Sequence, residues 1–518
     1  MLSKLNVIFI SMTVFAGLMP MSAHAFNVKE FDQALNDFIQ PFTSFYSDVI
    51  FTAIPVSGQA LPLIVVWLAA GSIFCTVYFR FINIRGFTTA LKVVRGDYTK
   101  KEDAGEVTHF QALSAALSGT VGLGNIGGVA VAISLGGPGA TVWMILVGLL
   151  GMSAKFAECT LGVKYRVIHE DGSVSGGPMY YLKQGFAEKG MPKLGMVLAV
   201  IFSICCVFAS FGGGNIFQIS QTVEQFQVVV GDSTNFFTDY RWVFGLGMAI
   251  LVGLVIIGGI KSIAKVTSKL VPIMCVLYLI AAVSILLGYY EKIPEAFMAI
   301  INGAFAPEAA YGGIIGVMIQ GMRRATFSNE AGIGSAPIAH AAVKTSEPAT
   351  EGLVSLLEPF VDTVIVCTMT ALVIVITGVY LDGSGLSGVK LTSEAFASVY
   401  SWFPYILALA VFLFAFSTMI TWSYYGIKSW TFLFGKSKEM EIVYKLLFCC
   451  VTVIGATMSL TEVVNFSDAA LFSMAIPNLI GVVILAPVVR QCLTSYMDKI
   501  NSGEITSNRE IAAKEMAP

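Results

Sequence analysis

Charged side chains are scarce in this chain. Of its 518 residues, 12% are charged and 56% are hydrophobic, whereas a soluble globular domain carries about 25% charged residues. The mean hydropathy of +0.77 agrees, because a chain this apolar cannot cover the surface of a soluble protein. The composition excludes a soluble globular fold and predicts an all-α protein that crosses a membrane several times.

Signatures of enzyme and metal chemistry are also missing from the sequence. The nine cysteines lie in or beside apolar stretches without metal-ligand spacing, so we interpret them as small core residues. His109, His169 and His340 are scattered and predict no metal site. No apolar stretch has a zinc motif, a nucleophile elbow or paired catalytic carboxylates, so we do not expect an enzyme. The net charge of −2 identifies no charged partner, and we expect no nucleic-acid partner.

The first 25 residues have the pattern of a secretory signal peptide. Lys4 supplies the basic start, residues 5–18 the apolar core, and Ala23 and Ala25 the small residues of a cleavage site. We predict cleavage after Ala25, and the alternative is an uncleaved anchor. Residues 26–57 would then form an external, amphipathic N-terminal segment.

Eleven later stretches are apolar and long enough to cross about 30 Å of hydrocarbon. They cover 58–80, 109–135, 139–165, 195–222, 242–260, 270–288, 312–340, 353–380, 402–432, 440–460 and 467–490. With an external N-terminus, most lysines and arginines outside them fall in cytoplasmic loops, as the positive-inside rule requires. We predict a multi-pass protein of the plasma (bacterial inner) membrane with a cytoplasmic tail over 491–518.

The second to eleventh stretches form two groups of five. The first group covers 109–288 and the second covers 312–490, while 58–80 is an extra helix outside both. Because five is odd, the two groups cross the membrane in opposite directions. The sequence therefore predicts a five-plus-five inverted repeat of the kind found in secondary transporters.

Glycine and polar residues interrupt the first stretch of each group, over 117–128 and 325–335. An unpaired backbone group is costly in hydrocarbon, so a broken helix must face a cavity, an ion or a ligand. Carbonyl groups released by the break suit a sodium ion, and amides at the start of a half-helix suit a carboxylate. Packing through small residues is the alternative. We favour a binding site, with both helices discontinuous.

Polar residues elsewhere in the apolar stretches each have alternative roles. Glu330 could coordinate a cation, relay a proton or pair with Arg323 or Arg324. Asn215 and Gln218 share a helix face and could hold a substrate or form hydrogen bonds between helices.

Two further pairs lie inside the third and ninth stretches. Ser417 and Thr418 offer hydroxyl oxygens of the kind that a sodium site uses, although such hydroxyls often bond their own helix. Lys155 and Glu158 are three residues apart and predict a neutralised internal pair.

Five motifs follow one another along the chain. They are NIRGF at 83–87, SGTVGLGNI at 118–126, GGPGA at 136–140, GGPMYYL at 176–182 and FSNEAGIGSAP at 327–337. In this combination, residues 58–490 resemble the alanine or glycine:cation symporter family. The break at 121–125 is similar to that of the first core helix of the bacterial leucine transporter, so the resemblance implies that fold.

The resemblance also implies roles for single residues. The carbonyl groups of Ser118 and Val121 and the hydroxyls of Ser417 and Thr418 are expected to bind sodium. The residues expected around the substrate are Thr120, Leu123, Gly124, Asn125, Gln218, Phe327 and Ser328, with the amides of Leu123 and Gly124 on its carboxylate. Thr120 and Asn125 also match positions of a second sodium site in the leucine transporter.

Together these observations predict a sodium-coupled symporter that imports a small neutral amino acid, alanine or glycine, by alternating access. Sodium is the expected coupling ion. The alternatives are a proton-coupled transporter that uses Glu330, a channel, and an amino-acid receptor that does not transport. The sequence predicts no particular oligomeric state.

Overall fold

The computed structural model describes residues 28–56, 58–99, 103–231, 240–305, 312–382 and 385–508. The predicted signal peptide over 1–25 lies outside these ranges. Within them the chain is mostly helical. Two short antiparallel hairpins join helices: β1 (Ala53–Val56) pairs with β2 (Gln59–Pro62), and β3 (Val167–Ile168) pairs with β4 (Val174–Ser175).

The helices of the first half extend from the N-terminal segment to the end of the first predicted repeat. They are α1 (Val28–Ile50), α2 (Leu63–Tyr78), α3 (Ile82–Arg85), α4 (Phe87–Val94), α5 (His109–Thr120), α6 (Val129–Gly136), α7 (Ala140–Lys164), α8 (Pro178–Glu188), α9 (Pro192–Phe211), α10 (Phe217–Val230), α11 (Arg241–Ile256) and α12 (Gly259–Gly288). The π-helical segments Gly124–Gly128 and Gly212–Ile216 precede α6 and α10.

The second half has the same alternation of long and interrupted helices. Its helices are α13 (Ile293–Phe305), α14 (Gly313–Asn329), α15 (Ala336–His340), α16 (Pro348–Ser355), α17 (Leu357–Pro359), α18 (Thr368–Thr377), α19 (Val389–Ala397), α20 (Phe403–Phe434), α21 (Lys438–Gly455), α22 (Leu460–Ser473) and α23 (Ala475–Asn501). The π-helical segment Phe360–Cys367 joins α17 to α18, and the 3-10 turns are Tyr290–Lys292 and Val379–Leu381.

Several helices of the described chain are long and apolar enough to cross a membrane. Six qualify alone: Ala140–Lys164, Pro192–Val230, Gly259–Gly288, Pro348–Thr377, Phe403–Phe434 and Leu460–Asn501. The pair of α5 with Gly124–Gly136 makes a seventh, bent by 49° at its break. The predicted polytopic all-α fold is confirmed. The count of eleven spans and the inverted repeat stay predictions, consistent with a helix inside each predicted stretch.

The N-terminal segment is a helix that lies on the rest of the protein. Helix α1 packs against α22, and Thr43 is fully buried there, donating a hydrogen bond to the Glu462 carboxylate. On the other face, Phe38 and Phe45 remain 66% and 68% exposed. One face of the segment is therefore buried and the other exposed, whereas the sequence predicted an exposed stretch.

Two long helices hold the interrupted helices in place. Helix α7 packs against α14, α15 and α16, and α20 packs against α5, α9, α10 and α12. Their buried residues include small ones, which permit close backbone approach between helices. The breaks in α5–α6 and α14–α15 therefore lie between these two helices.

We expect Gly139→Ala to destabilise the protein. A β-carbon at Gly139 would lie 2.0 Å from the carbonyl carbon of Gly303 in α13, so the two backbones would have to separate. Overpacking of this kind costs about 1–3 kcal/mol. Thermal unfolding in detergent measures the loss. Gly247→Ala is the control, because no atom lies within 4 Å of its β-carbon position, and equal melting temperatures for both variants would contradict the prediction.

Candidate substrate and ion site

The first break begins where α5 ends at Thr120. Val121 leaves the helix with a ψ of 84°, and the Gly122 amide donates to Asn125 Oδ1 at 2.8 Å. The Leu123 amide donates to Gln218 Oε1 at 3.0 Å. Side chains thus bond two amides that the break releases from the helix, which removes the cost of leaving them unpaired. A substrate carboxylate at Leu123 would have to replace Gln218.

The second break begins at Glu330, which has a left-handed φ of 56°. Its carboxylate accepts hydrogen bonds from the Ser335 hydroxyl and, at 3.0 Å, from Trp422 Nε1. The predicted alternative of an ion pair with Arg323 or Arg324 is wrong, because both arginines bind the Asp468 carboxylate instead. Glu330 is therefore held at the break by neutral donors.

A small cavity lies where the two breaks meet. Its lining residues are Gly119, Thr120, Gly124, Gly213, Gln218, Phe327, Glu330, Trp422 and Leu471. They include Thr120, Gly124, Gln218 and Phe327 of the predicted substrate site. The centre of a water molecule can occupy about 10 Å³ of it, which is room for roughly one water. An amino acid would fit only after the walls separate.

The other predicted substrate residues are buried outside this lining. Asn125 Nδ2 donates to Asp362 Oδ1 at 2.6 Å, and the Ser328 hydroxyl donates to Asp362 Oδ2 at 2.9 Å. Asp362 thus links the two breaks through one carboxylate. Sequence reasoning missed this residue, although an isolated carboxylate within an apolar stretch is a signal for function.

Two of the predicted sodium ligands, Ser118 and Thr418, are in direct contact between α5 and α20. Thr418 Oγ1 donates to the Ser118 carbonyl oxygen at 2.9 Å, and Ser118 Oγ donates to the Ser417 carbonyl oxygen at 2.6 Å. Val121 is fully buried at the end of α5. The Ser417 hydroxyl donates to Phe414 of its own helix at 2.9 Å. Neutral oxygens in a buried position are suitable ligands for a hard cation.

Asn215 and Gln218 have different surroundings despite sharing a helix face. Asn215 Nδ2 donates to the Phe448 carbonyl oxygen at 2.8 Å, which is the interhelical hydrogen bond of the alternative prediction. Gln218 Nε2 donates to the Gly213 carbonyl oxygen at 2.9 Å while its oxygen holds Leu123. Gln218 therefore lines the cavity and bonds the first break, and Asn215 supports the helix behind it.

Two predictions about ionisable residues are wrong. Lys155 pairs with Glu358 at 3.2 Å rather than with Glu158, which accepts a hydrogen bond from Asn478 Nδ2 at 2.6 Å. His109 and His340 are not scattered, because both are buried against Glu351. Spacing along a single helix cannot reveal these partners, since they come from other helices.

Most of the chain matches a known protein family. The match is to the sodium:alanine symporter family and covers residues 47–510. The chain belongs to the sodium:alanine symporter family. The family predicted from the sequence motifs is therefore confirmed. It is a family of transporters, and its members are multi-pass membrane proteins like the described chain.

Known relatives match most of the chain. The sodium/alanine symporter AgcS of Methanococcus maripaludis is 41% identical over 431 residues, 83% of this chain and 92% of that protein. The probable sodium/glutamine symporter GlnT of Bacillus subtilis is 33% identical over 444 residues, 85% and 89% of the two chains. The crystal structure of MhsT in complex with L-phenylalanine is similar with a TM-score of 0.54 at 15% identity, covering 75% of this chain and 98% of that one. The last likeness confirms the leucine-transporter-like fold.

We expect Asp362→Asn to destabilise the protein. The new amide would present N–H donors where one carboxylate oxygen now accepts, so either the bond from Asn125 or the bonds from Ser328 and Thr363 would be lost. Burial of a mismatched polar group costs about 1–3 kcal/mol. Thermal unfolding in detergent, without substrate, measures the loss. Asp382→Asn is the matched control, since Asp382 is exposed at the end of a 3-10 turn. An unchanged melting temperature for Asp362→Asn would contradict this role.

Proposed function

We propose that this protein is a sodium-driven symporter that imports alanine or glycine by alternating access. The observation that carries the proposal is the direct contact of Ser118 with Thr418 beside a cavity bounded by both helix breaks. In this arrangement an ion between α5 and α20 and a substrate in the cavity share the α5 break as a common wall. Binding of one therefore changes the geometry available to the other.

Sodium would bind to the carbonyl groups of Ser118 and Val121 and to the hydroxyls of Ser417 and Thr418. The Thr418 hydroxyl now donates to Ser118. With sodium between them, both oxygens would face the ion, so the hydroxyl hydrogen would turn away. The ion thus replaces a bond between α5 and α20 with a stronger link between the same helices, and this would fix their spacing before the substrate binds.

The substrate carboxylate would bind the amides of Leu123 and Gly124 once Gln218 releases Leu123. Thr120, Asn125, Phe327 and Ser328 would complete the surroundings, of which Phe327 lies in the cavity wall. With Trp422 and Leu471 it restricts the length of a substrate side chain. This wall favours alanine over the larger amino acid named for the GlnT relative, although one methylene discriminates by only about 1–3 kcal/mol.

The direction of transport depends on the orientation in the membrane. We propose an external N-terminus and a cytoplasmic C-terminus, from the distribution of lysine and arginine. Inward movement of one positive charge then releases about 2.3 kcal/mol per 100 mV of membrane potential. Uptake that requires a pH gradient and ignores sodium would instead support proton coupling through Glu330. Conductance without saturation would support a channel, and binding without accumulation a receptor.

We expect Gly124→Leu to abolish alanine uptake into proteoliposomes. A β-carbon at Gly124 would lie 3.4 Å from both the Phe327 ring and the Ser328 main chain, so a leucine side chain would fill the cavity. Gly128→Ala is the control, because no atom lies within 4 Å of the position of its new β-carbon. The leucine side chain and the substrate cannot both occupy a cavity with room for about one water molecule. Uptake by Gly124→Leu within about twofold of the wild type would therefore contradict the site.

The double variant Ser417→Ala, Thr418→Ala should raise the sodium concentration for half-maximal uptake. Loss of two oxygen ligands weakens a site that already lacks a carboxylate, and we expect roughly a tenfold shift, which corresponds to about 1.4 kcal/mol. The measurement is alanine uptake over a sodium series with choline as the replacement. Ser423→Ala in the same helix is the control, since its hydroxyl donates to Ile420 of its own helix at 2.7 Å. An unchanged sodium dependence would remove the assignment.

A further inference from the structure

A chain of ionisable side chains runs through the protein outside the substrate cavity. His109 Nδ1 contacts one oxygen of Glu351, and His340 Nδ1 contacts the other. His340 Nε2 lies 2.5 Å from Glu358 Oε1, and Glu358 Oε2 lies 3.2 Å from Lys155 Nζ. Four of these five residues are fully buried, and His109 is 3% exposed. We call this set the histidine–glutamate chain.

The hydrogen bonds of His340 require an additional proton. A neutral imidazole has one N–H, so it can donate to only one acceptor. Both ring nitrogens of His340 face carboxylate oxygens, and the bonds are satisfied only if the ring is an imidazolium or one carboxyl is protonated. Lys155 contacts Glu358, and the Arg166 guanidinium acts on Glu351, which favours ionised carboxylates. The proton is therefore best placed on His340.

The histidine–glutamate chain connects the far ends of both discontinuous helices. His109 is the first residue of α5, and His340 is the last residue of α15. Glu351 binds both rings, and next to them Val107 and Val343 form a parallel bridge. The two helices that carry the breaks are thus joined, away from the cavity, by the Glu351 carboxylate and by the main chain of the residues that flank the two rings.

One end of the histidine–glutamate chain lies next to the loop that precedes α5. Thr108, the residue before His109, is exposed at the end of this loop. The other end, Lys155, interacts electrostatically with Glu330 in the cavity wall. A proton can therefore reach the chain from the aqueous side next to His109, while its charge acts on the site.

We propose that the histidine–glutamate chain is a proton-binding site that joins α5 to α15 when occupied and releases them when empty. With the proton, every nitrogen–oxygen contact of His340 is a charge-assisted hydrogen bond. Without it, a ring lone pair faces a carboxylate, and the contact repels. Opening on the side of His109 requires these helix ends to separate, so it becomes easier as the pH on that side rises. This proton site is separate from the proposed sodium and alanine sites. Only the transport test rests on the proposed function.

Other ionisable groups surround the chain and modulate it. They are Glu158 and Cys159 on α7, Arg166 after α7 with Asp103 near it, Tyr181 on α8, Glu330 at the second break, Asp362 in the π-helical segment and Tyr425 on α20. Cys159, His340 and Glu358 also place possible metal ligands within 4.8 Å of one another. Both His340 nitrogens already contact carboxylates, which favours a proton over a metal ion.

The transport test uses the full-length protein in proteoliposomes of defined orientation, with saturating sodium and a clamped membrane potential. Alanine uptake is measured while the pH on each side is varied separately between about 5.5 and about 10. This range extends above the ordinary titration of histidine, because the two carboxylates on the His340 ring favour the imidazolium. We expect wild-type uptake to rise at least about threefold with pH on the side of His109, as one titrating group allows. His340→Gln, which cannot carry the proton, should have a flat profile.

Matched variants separate this site from general effects. His169→Gln should keep the wild-type profile, because His169 bonds Ser175 in the β3–β4 hairpin and lies outside the chain. His109→Gln should weaken the pH dependence and serves as the second variant if His340→Gln does not fold. A flat wild-type profile, a response only on the opposite side, or a pH-dependent His340→Gln variant would overturn the proposal.

A second readout needs no substrate. The bound proton stabilises the folded protein. Its contribution to stability is therefore present at low pH and is lost as the pH rises. In detergent, the difference in melting temperature between wild type and His340→Gln should therefore be largest at low pH and shrink on raising it. If alanine is not transported, this measurement still decides. A pH-independent difference would overturn the proton site and leave the proposed function intact.

Discussion

The backbone groups released by two helix breaks need hydrogen-bond partners in a region without bulk water, and the rest of the site depends on this constraint. Asn125 and Gln218 provide acceptors for the amides of Gly122 and Leu123. Asn329 Oδ1 accepts from the Ala331 amide at 3.0 Å in the second break. Since polar side chains satisfy these groups, a ligand binds by exchanging partners with them. Binding is thereby linked to movement of the side chains that are displaced.

Asp362 couples the two breaks, because it accepts hydrogen bonds from polar side chains of both. Its two carboxylate oxygens accept from Asn125 on one break and from Ser328 on the other. A shift of either discontinuous helix therefore alters the hydrogen bonds of its counterpart. The proposed ion site lies on the α5 side of the same break, where Thr418 contacts Ser118. The physical route from ion to substrate thus consists of adjacent hydrogen bonds and needs no distant pathway.

The sequence allowed the local features to be predicted and left the distant partners hidden. The breaks and the apolar stretches follow from composition within a few residues. Asp362 and Glu351 lie 237 and 242 positions from Asn125 and His109, and no local pattern specifies such pairing. The Lys155–Glu158 prediction failed for the same reason. A spacing of three places two side chains on one face, but Glu358 on a neighbouring helix offers Lys155 an ion pair that is fully buried.

The second discontinuous helix is held by ionic contacts on both sides of its break. On α14, Arg323 and Arg324 bind Asp468 of α22, and the Arg323 guanidinium lies 4.2 Å from the centre of the Phe51 ring. On α15, His340 binds Glu351 and Glu358. The cavity lies between these two clusters. Breaking a buried ionic contact by removing one partner is costly, about 3–5 kcal/mol, so losing both clusters at once would be far less favourable than losing one. One half of the helix can therefore lose its ionic contacts while the other half keeps its own, and the alternating access that we propose needs such stepwise release.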